Sequence, residues 1–139
     1  MRGTCLCGAV EFIVSGTLPN IYQCHCSLCR KATGSVANAA LIVPSENLQW
    51  VSGQDFITSF IKDTGYRSDF CSKCGSPLPN PLRDETEFWI PVGLLEGNAN
   101  LQIAAHLHVG SKASWDVIGS NGVQYQEAPD LESLLKLLQ

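Results

Sequence analysis

Seven cysteines fall in three short clusters: Cys5 and Cys7; Cys24, Cys26 and Cys29; and Cys71 and Cys74. No other feature limits the fold of this chain so tightly. C-x-C and C-x-x-C spacings gather thiols within one or two residues of each other, so each cluster presents its sulfurs as a group. An odd count in these spacings reads as reduced metal thiolates better than as a secreted disulfide framework. Four thiolates make a closed tetrahedral zinc site, whereas three leave one position for water or another ligand. Seven divides naturally into four plus three.

In Cys5-Leu6-Cys7 the thiols stand at i and i+2, so an extended chain puts both on one face and Leu6 on the other. Cys71-Ser72-Lys73-Cys74-Gly75 is a C-x-x-C turn, with Gly75 free to take a positive φ after the second thiol. Pairing these two clusters gives a closed site that ties the N-terminal segment to mid-chain; the spacing alone leaves other partitions of the thiols open. Cys24-His25-Cys26-Ser27-Leu28-Cys29-Arg30 carries both spacings, so its three thiolates converge on one ion without help from elsewhere. Its fourth position is expected to be open. On an extended segment His25 faces away from the flanking cysteines, and His106 and His108 are the distant alternatives for closing the site.

The 139 residues fit one domain, 1–139, with no internal boundary. With 45% hydrophobic and 16% charged residues the chain can bury a core without disulfides. A net charge of -4 argues against non-specific nucleic-acid binding, which needs a basic surface. No apolar run reaches the roughly 18 residues of a membrane span, and Met1-Arg2-Gly3 leads to cysteine without an apolar signal segment. The expectation is a cytoplasmic protein with neither membrane nor nucleic-acid partners.

Periodicity points to a mainly β fold. Strands are expected at 9–14, at 21–23 leading into the middle cysteines, over the apolar run 36–43 stopped by Pro44, at 55–62, and at 66–70 leading to Cys71. Two more are expected at 87–95, where Pro91 implies an edge or bulge, and at 106–109. Asp130 is an N-cap candidate for a terminal helix whose Leu131, Leu134, Leu135 and Leu138 form one apolar stripe; a helical turn also fits from Ser27 to Gly34. Trp50, Trp89 and Trp115 are expected to pack in the core or at its rim. Ser35, Ser76 and Asp116 lack any G-x-S-x-G-type context, so no hydrolase triad is assigned.

C-x-C-G near the N-terminus, then C-H-C-x-x-C-R, then F-C-x-x-C-G, and later His106-Leu107-His108-Val109 with Ser111-Lys112-Ala113-Ser114-Trp115, together resemble the glutathione-dependent formaldehyde-activating enzyme family, grouped with centromere protein V. The resemblance implies an Mss4-like fold of several short antiparallel sheets around zinc sites, with two zinc ions per chain. It also implies that Cys5, Cys7, Cys71 and Cys74 hold a structural zinc and that Cys24, Cys26 and Cys29 hold the catalytic one. The implied reaction joins a thiol such as glutathione to an aldehyde such as formaldehyde, giving an S-hydroxymethyl adduct, and runs as a carbon–sulfur lyase in reverse. A non-catalytic, zinc-stabilised binding or assembly module is the other class that such a fold serves.

The residues suit thiol chemistry. Three thiolates on one divalent ion leave a net charge of about -1, so the site is a poor generator of hydroxide and a better one for a sulfur nucleophile. An anionic thiol substrate needs cations, and Arg30, whose guanidinium fork matches a carboxylate, directly follows Cys29. Lys31, Lys73 and Lys112 are further cations, each also explained as ordinary solvated charge. The proline-punctuated stretch 77–82 is expected to be a stiff loop beside the pocket.

Overall fold

Turn residues cut this chain into strands of two to seven residues. The structure, a computed structural model, describes residues 1–97 and 100–139. In chain order the elements are β1 (Arg2–Thr4), β2 (Glu11–Val14), β3 (Ile21–Cys24), α1 (Ser27–Thr33), β4 (Asn38–Pro44), β5 (Leu48–Ser52) and β6 (Ile57–Ile61). They continue with β7 (Arg67–Cys71), β8 (Pro77–Leu78), β9 (Asn80–Pro81), β10 (Glu87–Pro91), β11 (Ile103–Leu107), β12 (Val123–Gln124) and α2 (Leu131–Leu138). The chain divides into two compact units, one of Met1–Leu18 with Ile42–Ala99 and the other of Pro19–Leu41 with Asn100–Gln139.

The first unit contains the antiparallel sheets β1-β2-β5 and β6-β7-β8 and the antiparallel pair β9-β10. Phe12 is fully buried, and Trp50, its partner across the ladder, meets it edge-on with ring centroids 5.8 Å apart. On the other side the ring lies against Gly3, where a Cβ would stand 2.3 Å from Phe12 Cζ, so only glycine fits opposite this phenylalanine. Cys5, Val10, Cys71 and Leu78 form one buried cluster, which puts thiols from two distant stretches of sequence into the same apolar core. Gly53 has φ +79° and a hypothetical Cβ only 1.9 Å from the Ala9 carbonyl oxygen; no side chain is compatible with that approach.

In the second unit β3 lies between β4, antiparallel, and β11, parallel, and β12 pairs in parallel with β11. The short cysteine-bearing connection through α1 returns the chain antiparallel as β4. The much later β11 runs beside β3 in the same direction, as a long connection permits. The expectation of antiparallel sheets thus holds in the first unit, and the sheet of the second is mixed.

Helix α1 starts at Cys26, whose sulfur accepts the Cys29 N–H, and stops at Gly34, which takes the left-handed conformation and donates its N–H to the Arg30 carbonyl. Helix α2 is capped by Asp130 and buries Leu134 and Leu138, and the Asn20 N–H bonds its last turn at the Leu138 carbonyl, 2.7 Å away. A helix of eight residues is marginal alone, so this docking is what holds it.

The architecture is mainly β with a short C-terminal helix, as expected, and several local expectations change. Cys5 to Gly8 is a tight turn closed by Gly8 N–H to the Cys5 carbonyl, so the first two thiols meet through a turn and not along a strand. Leu6 does point away, at 87% exposure. The last long strand covers 103–107 and not 106–109, because His108 adopts φ 55° and turns the chain. Residues 77–82 hold the short strands β8 and β9 where a loop was expected. Trp115 is 67% exposed and does not pack in a core. Among the described residues no helix is long and apolar enough to cross a membrane.

Candidate metal centre

Two groups of thiols meet, and they divide the seven cysteines four and three. In the first unit the turn after β1 brings Cys5 and Cys7 to Cys71 at the end of β7 and Cys74 in the turn that follows. Cys5 and Cys7 sulfurs are 3.6 Å apart and those of Cys7 and Cys71 3.9 Å. A tetrahedron with zinc–sulfur bonds of about 2.3 Å has edges of about 3.8 Å, so the spacing already suits that ion. Backbone and hydroxyl groups hold the sulfurs: Val10 N–H donates to Cys5 Sγ, and Ser76 Oγ, which accepts the Leu6 N–H at 2.9 Å, lies 3.3 Å from Cys74 Sγ. Hydrogen bonding from Ser76 lowers the Cys74 thiol to about 6, toward the charged form that a metal requires.

In the second unit Cys24 ends β3, Cys26 caps α1 and Cys29 sits on the helix, with all three sulfurs within 4.8 Å of one another. Each sulfur has an N–H donor. The Cys26 backbone serves Cys24, the Cys29 backbone serves Cys26 at 3.4 Å, and the side-chain amide of Asn38 serves Cys29 at 3.1 Å. Such bonds favour thiolates. Three negative sulfurs this close nevertheless repel: Cys24 is lowered to about 6, chiefly by its hydrogen bond with Cys29, while Cys29 is pushed up by the same bond and by burial. A divalent cation among them removes that conflict, so the donor set fits zinc, with one coordination position left unfilled by protein.

A buried chain of hydrogen bonds braces this loop from behind. His25, between two of the thiols, directs Nδ1 to Asp116 Oδ2 at 2.6 Å and Nε2 to His106 Nδ1 at 3.0 Å. His106 Nε2 lies 2.8 Å from the Asn121 carbonyl oxygen. All three side chains are buried. Three hydrogen bonds take three hydrogens, one more than two neutral imidazoles carry. Both nitrogens of both rings are committed, which removes His25 and His106 as candidates for a fourth ligand. His108 lies outside the thiol group. Asp116, set aside in sequence as lacking a triad context, is therefore the carboxylate of a His–His–Asp array. No local motif announces it, since its partner His25 lies 91 residues away in the chain.

Arg30 does not stand free beside the cluster. Its Nη1 donates to the carbonyls of His25, at 3.1 Å, and Ser111, at 2.5 Å, and so clips the thiol loop to the segment after β11. Lys112 Nζ donates to the Asp116 carbonyl at 3.0 Å, and Lys73 in the first unit covers the Phe56 ring at 4.1 Å. Gly75 takes the positive φ expected of it.

A mainly β chain that gathers its cysteines into a four-thiol group and a three-thiol group has the donor sets of a thiolate metal-site protein. The sequence matches the family described as glutathione-dependent formaldehyde-activating enzyme over residues 1–111, and the chain belongs to that family. A Halomonas elongata protein provisionally described by the same name is 32% identical over 85 aligned residues, which cover 56% of this chain and 54% of that protein. The chain thus spans about half the length of that curated relative. A protein of Rhodobacter sphaeroides solved by crystallography is similar in fold, with a TM-score of 0.60 and 31% identity over 72% of this chain and 92% of its own. Asp116 and Asn121 lie beyond the family match, whereas His25 and His106 lie within it.

Proposed function

We propose that this protein joins a thiol, glutathione or a close analogue, to an aldehyde such as formaldehyde, and catalyses the reverse carbon–sulfur cleavage. The observation that carries the reading is the three-thiol group, whose sulfurs converge within 4.8 Å with no fourth His, Cys, Asp or Glu donor in the group among the described residues. Zinc bound there would supply a Lewis-acid position at which an incoming thiol loses its proton. Cys24, Cys26 and Cys29 would hold that ion, and Cys5, Cys7, Cys71 and Cys74 a second, structural one. In the reaction the sulfur lone pair forms the new S–C bond, the carbonyl π pair moves to oxygen, and the proton lost by the thiol ends on that oxygen. No oxidant or reductant is needed. Reduced thiols of this kind belong in a reducing compartment, which supports a cytoplasmic location.

The uncatalysed condensation is measurable, so the test is acceleration of exchange. Magnetisation transfer between free and thiol-bound formaldehyde, with protein carrying two zinc ions, should show exchange faster than in buffer, lost in Cys26→Ser. Exchange at the buffer rate would make the chain a zinc-stabilised binding module.

A further inference from the structure

His25 and His106 use both ring nitrogens in the buried array, whereas the ring of His108 makes no hydrogen bond or ion pair among the described residues and is partly exposed. Its backbone, by contrast, is pinned on both sides. The His108 N–H donates to the Glu127 carbonyl at 2.6 Å, and its carbonyl accepts the Ser111 N–H at 3.0 Å. The residue directly follows Leu107, which pairs with Cys24 in the β3–β11 ladder and accepts the His25 N–H at its carbonyl. Continued as a strand, position 108 would carry its side chain on the His106 face, away from Cys24. Instead φ is 55° there, a left-handed conformation uncommon outside glycine, and the chain turns before the ring joins that face. The ring is felt at the thiols: Cys24 is lowered chiefly by its hydrogen bond with Cys29, and charge on His108 adds to the lowering. A firmly held, partly exposed imidazole with both nitrogens free therefore borders the three-thiol site.

The proposed reaction has a proton to move. It starts on the thiol sulfur and ends on the former carbonyl oxygen. In the adduct those two atoms are joined through a single carbon, so direct passage between them needs a strained four-membered arrangement. We propose that His108 carries this proton: one ring nitrogen accepts it as the thiol sulfur arrives among Cys24, Cys26 and Cys29, and the imidazolium returns it to the oxygen as the S–C bond forms. The ring ends as it began, so no further acid, base or redox partner is consumed, and carbon–sulfur cleavage runs the same steps backwards. The proposal rests on the thiol–aldehyde reading for its reaction.

The test uses the full chain carrying two zinc ions. Because φ is positive at position 108, His108→Gly keeps the backbone conformation and removes only the ring. Its protein-dependent aldehyde exchange should fall roughly a hundredfold or more, with zinc content and glutathione affinity unchanged. Added imidazole should restore part of that exchange, beyond its effect in buffer. His108→Asn tolerates the same φ and keeps an N–H donor but carries no proton, so it should stay as slow as the glycine variant. Full exchange in His108→Asn, unchanged exchange in His108→Gly, or a loss that imidazole never restores overturns the proposal. Loss of one zinc equivalent, or a fall in glutathione affinity equal to the fall in exchange, overturns it as well, by making the ring a metal ligand or a binding group. If the wild-type protein accelerates no exchange, the thiol–aldehyde reading fails and the carrier with it, whereas acceleration shared fully by His108→Gly refutes the carrier alone.

Discussion

His25 Nδ1 stands 2.6 Å from Asp116 Oδ2, and both side chains are only 2% exposed. That bond is the anchor of the array that holds the Cys24–Cys26 turn. Because the array lacks one proton when both histidines are neutral and Asp116 is a carboxylate, the identity of the group at position 116 can be tested by what it supplies. Asp116→Ala leaves His25 Nδ1 without a partner in a buried site and should cost about 1–3 kcal/mol. Asp116→Asn offers an N–H to Nδ1, which satisfies two neutral histidines in series, so it should cost less than half as much. Urea unfolding of the two variants checks this; equal losses would mean that the array needs charge and not a proton donor.

Arg30 was legible in sequence as a cation beside the thiols and a candidate anchor for a substrate carboxylate, and the structure adds two bonds from its Nη1 to backbone carbonyls. With Nη1 on two backbone carbonyls, Arg30→Ala should loosen the loop and lower the zinc affinity of the three-thiol site. Arg30→Lys should restore it only in part, because both bonds come from one nitrogen, which the more flexible lysine chain holds less firmly at that point. Competition with a chromogenic chelator reads the affinity. Two firmly held zinc ions per chain, combined with a raised KM for glutathione, would instead assign Arg30 to the substrate.

Four thiols close one site and three leave the other incomplete, so the metals should leave in order. Chelator at neutral pH should remove one equivalent quickly from Cys24, Cys26 and Cys29, then a second slowly from the other cluster together with loss of folded structure. Protons compete with metal for thiolate, so both releases should quicken as pH falls. Simultaneous release of both equivalents would contradict the assignment of one closed and one open site.

Gly53 leaves no room for a methyl group against Ala9 and holds φ +79°. Gly53→Ala should destabilise the protein by about 2 kcal/mol or more, combining steric displacement with a left-handed backbone. Gly8, also at positive φ, has nothing within 4 Å of its Cβ position, and Gly8→Ala should cost less. Thermal unfolding of the pair checks the comparison.

The Asp130 carboxyl accepts the Ser133 N–H, which holds it below the usual aspartate range. A depressed folded value means that the cap contributes fully above the unfolded value of about 3.9 and is lost as pH falls through the folded one. Hydrogen exchange of α2 should therefore quicken in acid in the wild type. Asp130→Asn, an equally good cap without a titrating group, should lose that dependence.

What the sequence could show follows the range of the interactions. Thiol spacing and the Asp130 cap are local and appear where their patterns place them, and of the terminal leucine stripe Leu134 and Leu138 are buried while Leu131 is exposed. The mixed sheet depends on β11 pairing with β3 across about eighty residues, which no local period encodes. Strand β1 is three residues long and depends on Gly3 accepting the Phe12 ring, a cross-strand fit and not a propensity. His25, His106 and Asp116 carry no shared spacing, and only the folded second unit brings them into line. Asn38 is invisible for the same reason, one polar residue in an apolar run until β4 places it beside Cys29.

The proposed chemistry takes place at the open position among Cys24, Cys26 and Cys29. Cobalt(II) in place of zinc reports its own ligands through sulfur charge-transfer and d–d absorption, so glutathione titrated into the cobalt protein tests the claim directly. The prediction is a saturable spectral change with one glutathione per chain, absent from Cys26→Ser. A spectrum unchanged at millimolar glutathione would contradict it.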